Sequence, residues 1–331
     1  MCNFKCSFKK LYSVYSFHFV DASDALFVNG VEKYNEYQEI MQMIKTNIKK
    51  LRDPFLIKDN DTYYLYGTGV KEGWNDSAWI GYKSKSLDGE WKAIEYDLAL
   101  LPEDAQKQRW APEVHKYNGS FYMIASYFSS KTGHRGCSVL KSGSPEGKFV
   151  EISDGHITPK NKDSIDGTLY IDADGQPWMV YVHEWTCTDD GVGRMSAAKL
   201  SDDLTHFIDE PIELFRADSP SWANDKVTDG CFMYTTKDKE LLMIWSNFDS
   251  DNGYCVGIAR SDNGRVDGHW SQDDELLYSK SLSGEEDGGH GMIFKDTGDS
   301  VYLVIHSPNS GVEKTLLIPV YEKNGTLVCE F

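Results

Sequence analysis

Residues 58–62 (KDNDT) followed by Tyr63-Tyr64-Leu65-Tyr66 form a polar turn feeding a short apolar strand, and the chain returns to this phrase four more times. Phe121-Tyr122-Met123-Ile124 follows KYNGS, Trp178-Met179-Val180-Tyr181 follows DADGQ, Leu241-Leu242-Met243-Ile244 follows TKDKE, and Val301-Tyr302-Leu303-Val304 follows KDTGDS. With Tyr64, Tyr122, Trp178, Leu242 and Tyr302 as equivalents, the spacings are 58, 56, 64 and 60 residues. Another short strand precedes each turn. In the first four units a serine and then an aromatic mark a third element: Ser84 to Trp91, Ser142 to Phe149, Ser201 to Phe207 and Ser261 to Trp270. A repeat of about 60 residues holding several antiparallel strands is the signature of a propeller blade. A two-sheet sandwich also has short strands, but it does not repeat them in one order. The expected fold is all-β, a five-bladed β-propeller over residues 51–331.

Upstream, residues 31–50 read as a helix. Apolar or aromatic side chains at 34, 37, 40, 41, 44 and 48 follow helical spacing, and two lysines close the last turn. Residues 1–50 are thus expected to be an N-terminal extension with a helical end. Lysines at 5, 9 and 10 precede the stretch 11–20, which resembles a secretory signal diluted by Ser, Tyr and His. If it acts as one the protein is secreted or periplasmic; otherwise it is cytoplasmic.

Composition narrows the function classes. No run of 18 apolar residues occurs, so no membrane span is expected. Thirty-four Lys and Arg against 52 Asp and Glu leave a net charge of −18, which repels phosphate backbones and argues against nucleic acid as a partner. The seven cysteines are odd in number and lack metal-ligand spacing. Cys2 and Cys6 have no second pair nearby, so separate free thiols are expected.

In a propeller the first strand of each blade lines the central channel. Counting back from the five equivalents gives Asp53, Glu113, Asp166, Asp229 and His290, between 9 and 13 residues upstream. One ionisable residue per blade is thereby expected at one mouth of the channel. Each acid taken alone could merely cap a turn. Together, carboxylates a few ångströms apart raise one another's pKa and separate a proton donor from an acceptor. Two chemistries use such a cluster: a calcium or magnesium site, and glycosidic hydrolysis by paired carboxylates. A single imidazole facing four acids also raises the expectation that His290 helps hold a channel cation such as calcium, although no cofactor is required. Trp74, Trp110, Trp185 and Trp222 are placed near the acids, where ring faces could stack on sugar; each could equally be core.

These residues resemble glycoside hydrolase family 43, whose members are five-bladed propellers. Arg52-Asp53-Pro54-Phe55 with Tyr63–Thr68 looks like the family's opening motif, and Trp110-Ala111-Pro112-Glu113-Val114 like its second-blade motif. Ile165-Asp166-Gly167-Thr168 looks like the third-blade motif, and Gly288-Gly289-His290-Gly291 like the histidine motif of the fifth. The fourth departs: the family usually has glutamate in an E-G-P-type motif, whereas this chain has Thr228-Asp229-Gly230-Cys231-Phe232. Asp229 is shorter by one methylene, about 1.5 Å of reach.

The resemblance implies hydrolysis with inversion. Asp53 would be the general base, Asp229 the general acid, and Asp166 would hold the proton on Asp229. Trp110 and Glu113 would line the sugar pocket, and His290 would contact water, metal or substrate. Among the family's substrates, terminal α-L-arabinofuranosyl residues are the first expectation, ahead of β-D-xylosides and other furanosides or galactosides. A reading of another class, a non-catalytic carbohydrate-binding propeller, applies if Asp229 cannot donate its proton.

Overall fold

The computed structural model describes residues 42–331 apart from 71, 72, 101, 106 and 299. β1 (Ile44–Lys49) is followed by the first meander: β2 (Leu51–Asp59), β3 (Thr62–Val70), β4 (Ser77–Ser84) and β5 (Lys92–Ala93). After β6 (Ala99–Leu100) the second comprises β7 (Lys107–Tyr117), β8 (Ser120–Phe128), β9 (Arg135–Ser142) and β10 (Phe149–Glu151), with β6 parallel to β10. The third is β11 (Ser164–Ile171), β12 (Pro177–His183), β13 (Arg194–Lys199) and β14 (Ile212–Arg216). The fourth is β15 (Asp229–Thr235), β16 (Leu241–Asp249), β17 (Gly253–Ser261) and β18 (Trp270–Gln272). The fifth holds β19 (Gly289–Lys295), β20 (Val301–Ser307) and β21 (Lys314–Lys323), with β22 (Thr326–Cys329) beside β21.

The five sheets close into a ring. β2 touches β7, β7 touches β11, β11 touches β15, β15 touches β19, and β19 returns to β2. The five repeated phrases are the second strands, β3, β8, β12, β16 and β20. They read as unbroken apolar runs because both of their faces are covered: Leu241, Leu242, Met243, Ile244 and Trp245 are all fully buried. Hydrophobic clusters fill the wedges between successive blades, as where Trp178 and Val180 meet Met243 and Trp245. At about 1.5–3 kcal/mol per large buried side chain, these wedges supply the main driving force for ring formation. The aromatics after the blade serines pin the outer edge, since Trp91, Phe149 and Trp270 are buried at the entry to the fourth strands.

The helix expected over 31–50 is corrected where it can be compared. Residues 44–49 form a strand, β1, which pairs antiparallel with β21 through Ile44 opposite Leu317 and completes the fifth blade. The reason is a period of two hidden in the same residues: Thr46 and Ile48 turn inward, while Lys45, Asn47 and Lys49 face solvent. The ring therefore begins before residue 51. Residues 42, 43 and 50 are not helical either, and residues 31–41 of that helix, with the signal-like stretch, lie outside the described residues. Among the described residues the single α-helix is the one-turn α1 (Lys280–Ser283), and no helix is long and apolar enough to cross a membrane.

Candidate active site

Every innermost strand carries a register break just after its start, and each break holds a residue with left-handed φ: Asp53 (53°), Ala111 (42°), Asp166 (55°), Gly230 (51°) and His290 (43°). A bulge of this kind turns one side chain off the ladder and frees its N–H. These five positions are the true structural equivalents. The equivalence counted from the sequence is corrected accordingly: Asp229 sits one residue before the bulge position and Glu113 two residues after it.

The freed N–H groups are caught by the preceding blade, at the residue four beyond each repeat equivalent. Thr68 Oγ1 accepts from Ala111 N at 2.8 Å, Ser126 Oγ from Asp166 N at 2.9 Å, Ser246 Oγ from His290 N at 2.9 Å, and His306 Nδ1 from Asp53 N at 3.2 Å. In the third blade this place is Val182, which has no acceptor. There the carboxylate of Asp166 takes over, its Oδ2 accepting from Gly230 N at 3.2 Å. Asp166 is thereby tied to the residue beside Asp229. Gly230 must lack a side chain, because a Cβ on it would lie 2.6 Å from His290 Cα.

The side chains converge on His290. Its Nδ1 lies 3.3 Å from Asp53 Oδ1, 3.2 Å from Asp229 Oδ1 and 3.8 Å from Asp166 Oδ2. Tyr254 donates its hydroxyl to the other oxygen of Asp229, Oδ2, at 2.5 Å. These groups form the floor of a cavity of about 460 Å³ walled by Trp74, Trp110, Trp185, Phe248 and Glu184. The indole of Trp110 donates to Trp74 O at 3.1 Å and meets the Trp74 ring edge-on. Guanidinium groups brace both rings, Arg52 at 4.7 Å from the Trp74 centroid and Arg135 at 5.7 Å from that of Trp110. Arg135 also grips Glu184 with two bonds of 2.7 and 2.8 Å.

The structure therefore brings together Asp53, Asp166, Asp229, Trp110 and His290. It does not bring Glu113 with them. That side chain is buried off the cavity, where it bonds His115 Nε2 at 2.9 Å, because two residues past the bulge the strand has already moved down the channel. Trp222 is likewise core, packed on Trp245 and donating to Asp273 O.

A family model for glycosyl hydrolases family 43 matches residues 47–326. The chain belongs to that family. An extracellular endo-α-(1→5)-L-arabinanase of Bacillus subtilis is 29% identical over 143 residues, and an extracellular exo-α-(1→5)-L-arabinofuranosidase of Cellvibrio japonicus 26% identical over 170. These alignments take in 41% and 47% of this chain but only 44% and 45% of those proteins, so the chain spans under half the length of the relatives it matches. Among solved structures, an endo-arabinase of Bacteroides thetaiotaomicron superposes with a TM-score of 0.74 at 34% identity, covering 85% of this chain and 98% of that one. An endo-1,4-β-xylanase of the same organism gives 0.70 at 25% identity, covering 87% and 97%.

In this family 43 chain the electrostatics divide the acids. Burial opposes charge on His290, but Asp53, Asp166 and Asp229 outweigh it and push the imidazole up to about 10, so it stands as an imidazolium. Burial raises Asp166 well above the usual carboxylate range; His290 opposes this, and the neighbouring Asp229 and Asp53 reinforce it. Burial acts on Asp229 in the same sense, but His290 and the hydrogen bonds from His290, Asp166 and Tyr254 hold it below that range. Burial thus favours the neutral form of Asp166, while His290 and Tyr254 favour the charged form of Asp229. His306, kept neutral by burial and by Arg52 and His290, offers Nδ1 as an acceptor. Burial and Asp229 keep Tyr254 protonated.

Ligand atoms of Asp166, Asp229 and His290 lie within 4.8 Å of one another, close enough for a metal ion. Two carboxylates and one imidazole are a poor match to the six to eight oxygen ligands that a hard cation such as calcium prefers.

Tyr254, Glu184, His306, Arg52 and Asn309 were not singled out from the sequence as site residues. Apart from Arg52, they lie at or just beyond the ends of the second and third strands, which reach the same end of each blade as the inner-strand starts. The connections between those strands were the signal that could have found them.

Proposed function

We propose that the chain hydrolyses α-L-arabinofuranosidic bonds with inversion, releasing terminal arabinofuranosyl residues. The observation that carries the proposal is the meeting of Asp53 and Asp229 on one nitrogen, Nδ1 of His290, beneath a wall of three tryptophans. Because both contact one atom, those two oxygens lie at most about 6.5 Å apart, the sum of the contacts. Inversion needs the carboxyl groups about 6.5–9.5 Å apart, so inversion is proposed from the family and not from this spacing. Asp53 would take a proton from that water. The proton for the leaving oxygen would pass first from Asp166 to Asp229, to which it is hydrogen-bonded, and then from Asp229 to the departing oxygen. His290 would hold both acids in register. Trp110, Trp74 and Trp185 would stack on the sugar, and Glu184 would accept from its hydroxyls. The arabinan-acting relatives favour arabinofuranose, with β-D-xylose second.

A second reading rests on the ionised Asp229. A site that cannot move the proton from Asp166 to Asp229 would bind sugar without cutting it. Activity on nitrophenyl α-L-arabinofuranoside, β-D-xyloside and galactofuranoside separates the two readings and ranks the sugars. Proton NMR of the first-formed anomer tests the stereochemistry: a retained configuration would falsify the role of Asp53. Release of arabinose alone from arabinan supports terminal attack, and a ladder of oligomers refutes it.

A further inference from the structure

Behind the cavity floor a chain of three contacts links the two acids that face each other. Asp53 N donates to His306 Nδ1 at 3.2 Å. The His306 ring stacks on Tyr254, with centroids 5.7 Å apart and planes 25° from parallel. The Tyr254 hydroxyl reaches Asp229 Oδ2 at 2.5 Å. We propose that Tyr254, stacked on His306, is a positioning residue that fixes Asp229 at a set distance from Asp53 and turns Asp229 Oδ1 toward the substrate. The proposal rests on the reading of Asp229 as the proton donor.

The surroundings of Tyr254 are built to hold its hydroxyl still. Phe248 packs on the ring as well, with centroids 5.1 Å apart and planes tilted by 47°. Its backbone is pinned at both ends, N to Asp287 Oδ2 at 3.2 Å and O from Gly288 N at 3.0 Å. Gly289 makes room for it, since a Cβ there would fall 2.6 Å from Tyr254 Cε1. The side chain is buried, at 1% exposure. A carboxylate hanging from one short side chain rotates about χ2; with Oδ2 held by Tyr254, the oxygen left to face His290 and the cavity is Oδ1. A general acid must present one oxygen along the line of the breaking bond, and misplacement by a fraction of an ångström is costly.

The test is Tyr254→Phe beside Asp229→Ala, assayed on an arabinofuranosyl disaccharide and on dinitrophenyl arabinofuranoside. Proton donation matters for the sugar leaving group and little for dinitrophenolate. Tyr254→Phe is expected to lower kcat on the disaccharide by about 10-fold, and on the dinitrophenyl glycoside by less than about 3-fold. KM and melting temperature should hold. A merely structural tyrosine would depress both substrates alike or lower the melting temperature, and either result overturns the proposal. If Asp229→Ala shows the leaving-group split and Tyr254→Phe does not, the positioning role fails while the acid assignment stands. If Asp229→Ala shows no split, the acid assignment fails and the proposal with it. Should Tyr254→Phe not fold, the wild-type proton spectrum decides. A phenol–carboxylate contact this short gives a far-downfield hydroxyl resonance, and its absence, or its survival in Asp229→Asn, overturns the assignment.

Discussion

Replacing His290 by glutamine removes the imidazolium that faces Asp53 from β2, Asp166 from β11 and Asp229 from β15, with Arg52, Tyr254 and His306 close behind. The consequence can be read as stability against pH. His290 is raised from its ordinary 6.5 to about 10. A group raised in the folded state contributes stability that is complete below the unfolded value and is lost as pH rises through the folded one. Across that window the slope is about 1.4 kcal/mol per pH unit. In the variant a carboxyl takes up the missing proton, but at lower pH, so its profile flattens before the alkaline range. Between about pH 7.5 and about pH 9.5 the wild type should therefore lose about 2–3 kcal/mol more than His290→Gln. Urea unfolding with reductant at both pH values, compared through midpoint and slope, measures the difference. Parallel profiles for the two proteins would show that His290 is not held as a cation.

Gly230→Ala should cost roughly 2–4 kcal/mol, since a Cβ would strike His290 at a left-handed backbone position; an unchanged thermal melt contradicts this. Val182→Thr should supply the acceptor that the third blade lacks and draw Gly230 N–H from Asp166, slowing turnover of sugar leaving groups about 3–10-fold; a wild-type rate sinks that account. Dialysis against EDTA is expected to leave activity and melting unchanged. A loss restored by calcium would place a metal where the imidazolium proton is now assigned.

The blades were legible because each second strand is covered on both faces and so repeats as an apolar run after a polar turn. The residues at the channel mouth were legible only to within a residue or two. Counting back from Tyr122 and Leu242 assumes unbroken strands, but each inner strand carries a bulge, and its placement moved Glu113 down the channel and Asp229 one step off the ring. The handover of backbone N–H groups at Thr68, Ser126, Ser246 and His306 sits at a constant offset from the repeat equivalents, so it was present in the sequence. Its meaning was not, since the partner lies on the next blade. β1 was misread because Ile44 and Ile48 satisfy a helical period and a strand period alike. The pairing that decides between them is with Leu317, at the far end of the chain.

That pairing makes the fifth blade a clasp. The strand that fastens it, β1, runs directly into β2, which carries Asp53, while the blade it fastens carries His290. Lys50 N bonds Glu313 O at 2.8 Å, and Arg52 reaches both Glu313 and Asn309, so the fastening continues up to the residue before Asp53. The 3.3 Å contact between His290 and Asp53 consequently spans the joint that the chain crosses through β1 and Lys50, with β1 held to the rest of the fifth blade by its pairing with β21. A cut or slip within residues 44–50 would part base from imidazolium while the other four joints stay shut. The chemistry of this site is thus a gauge of whether the circle is closed.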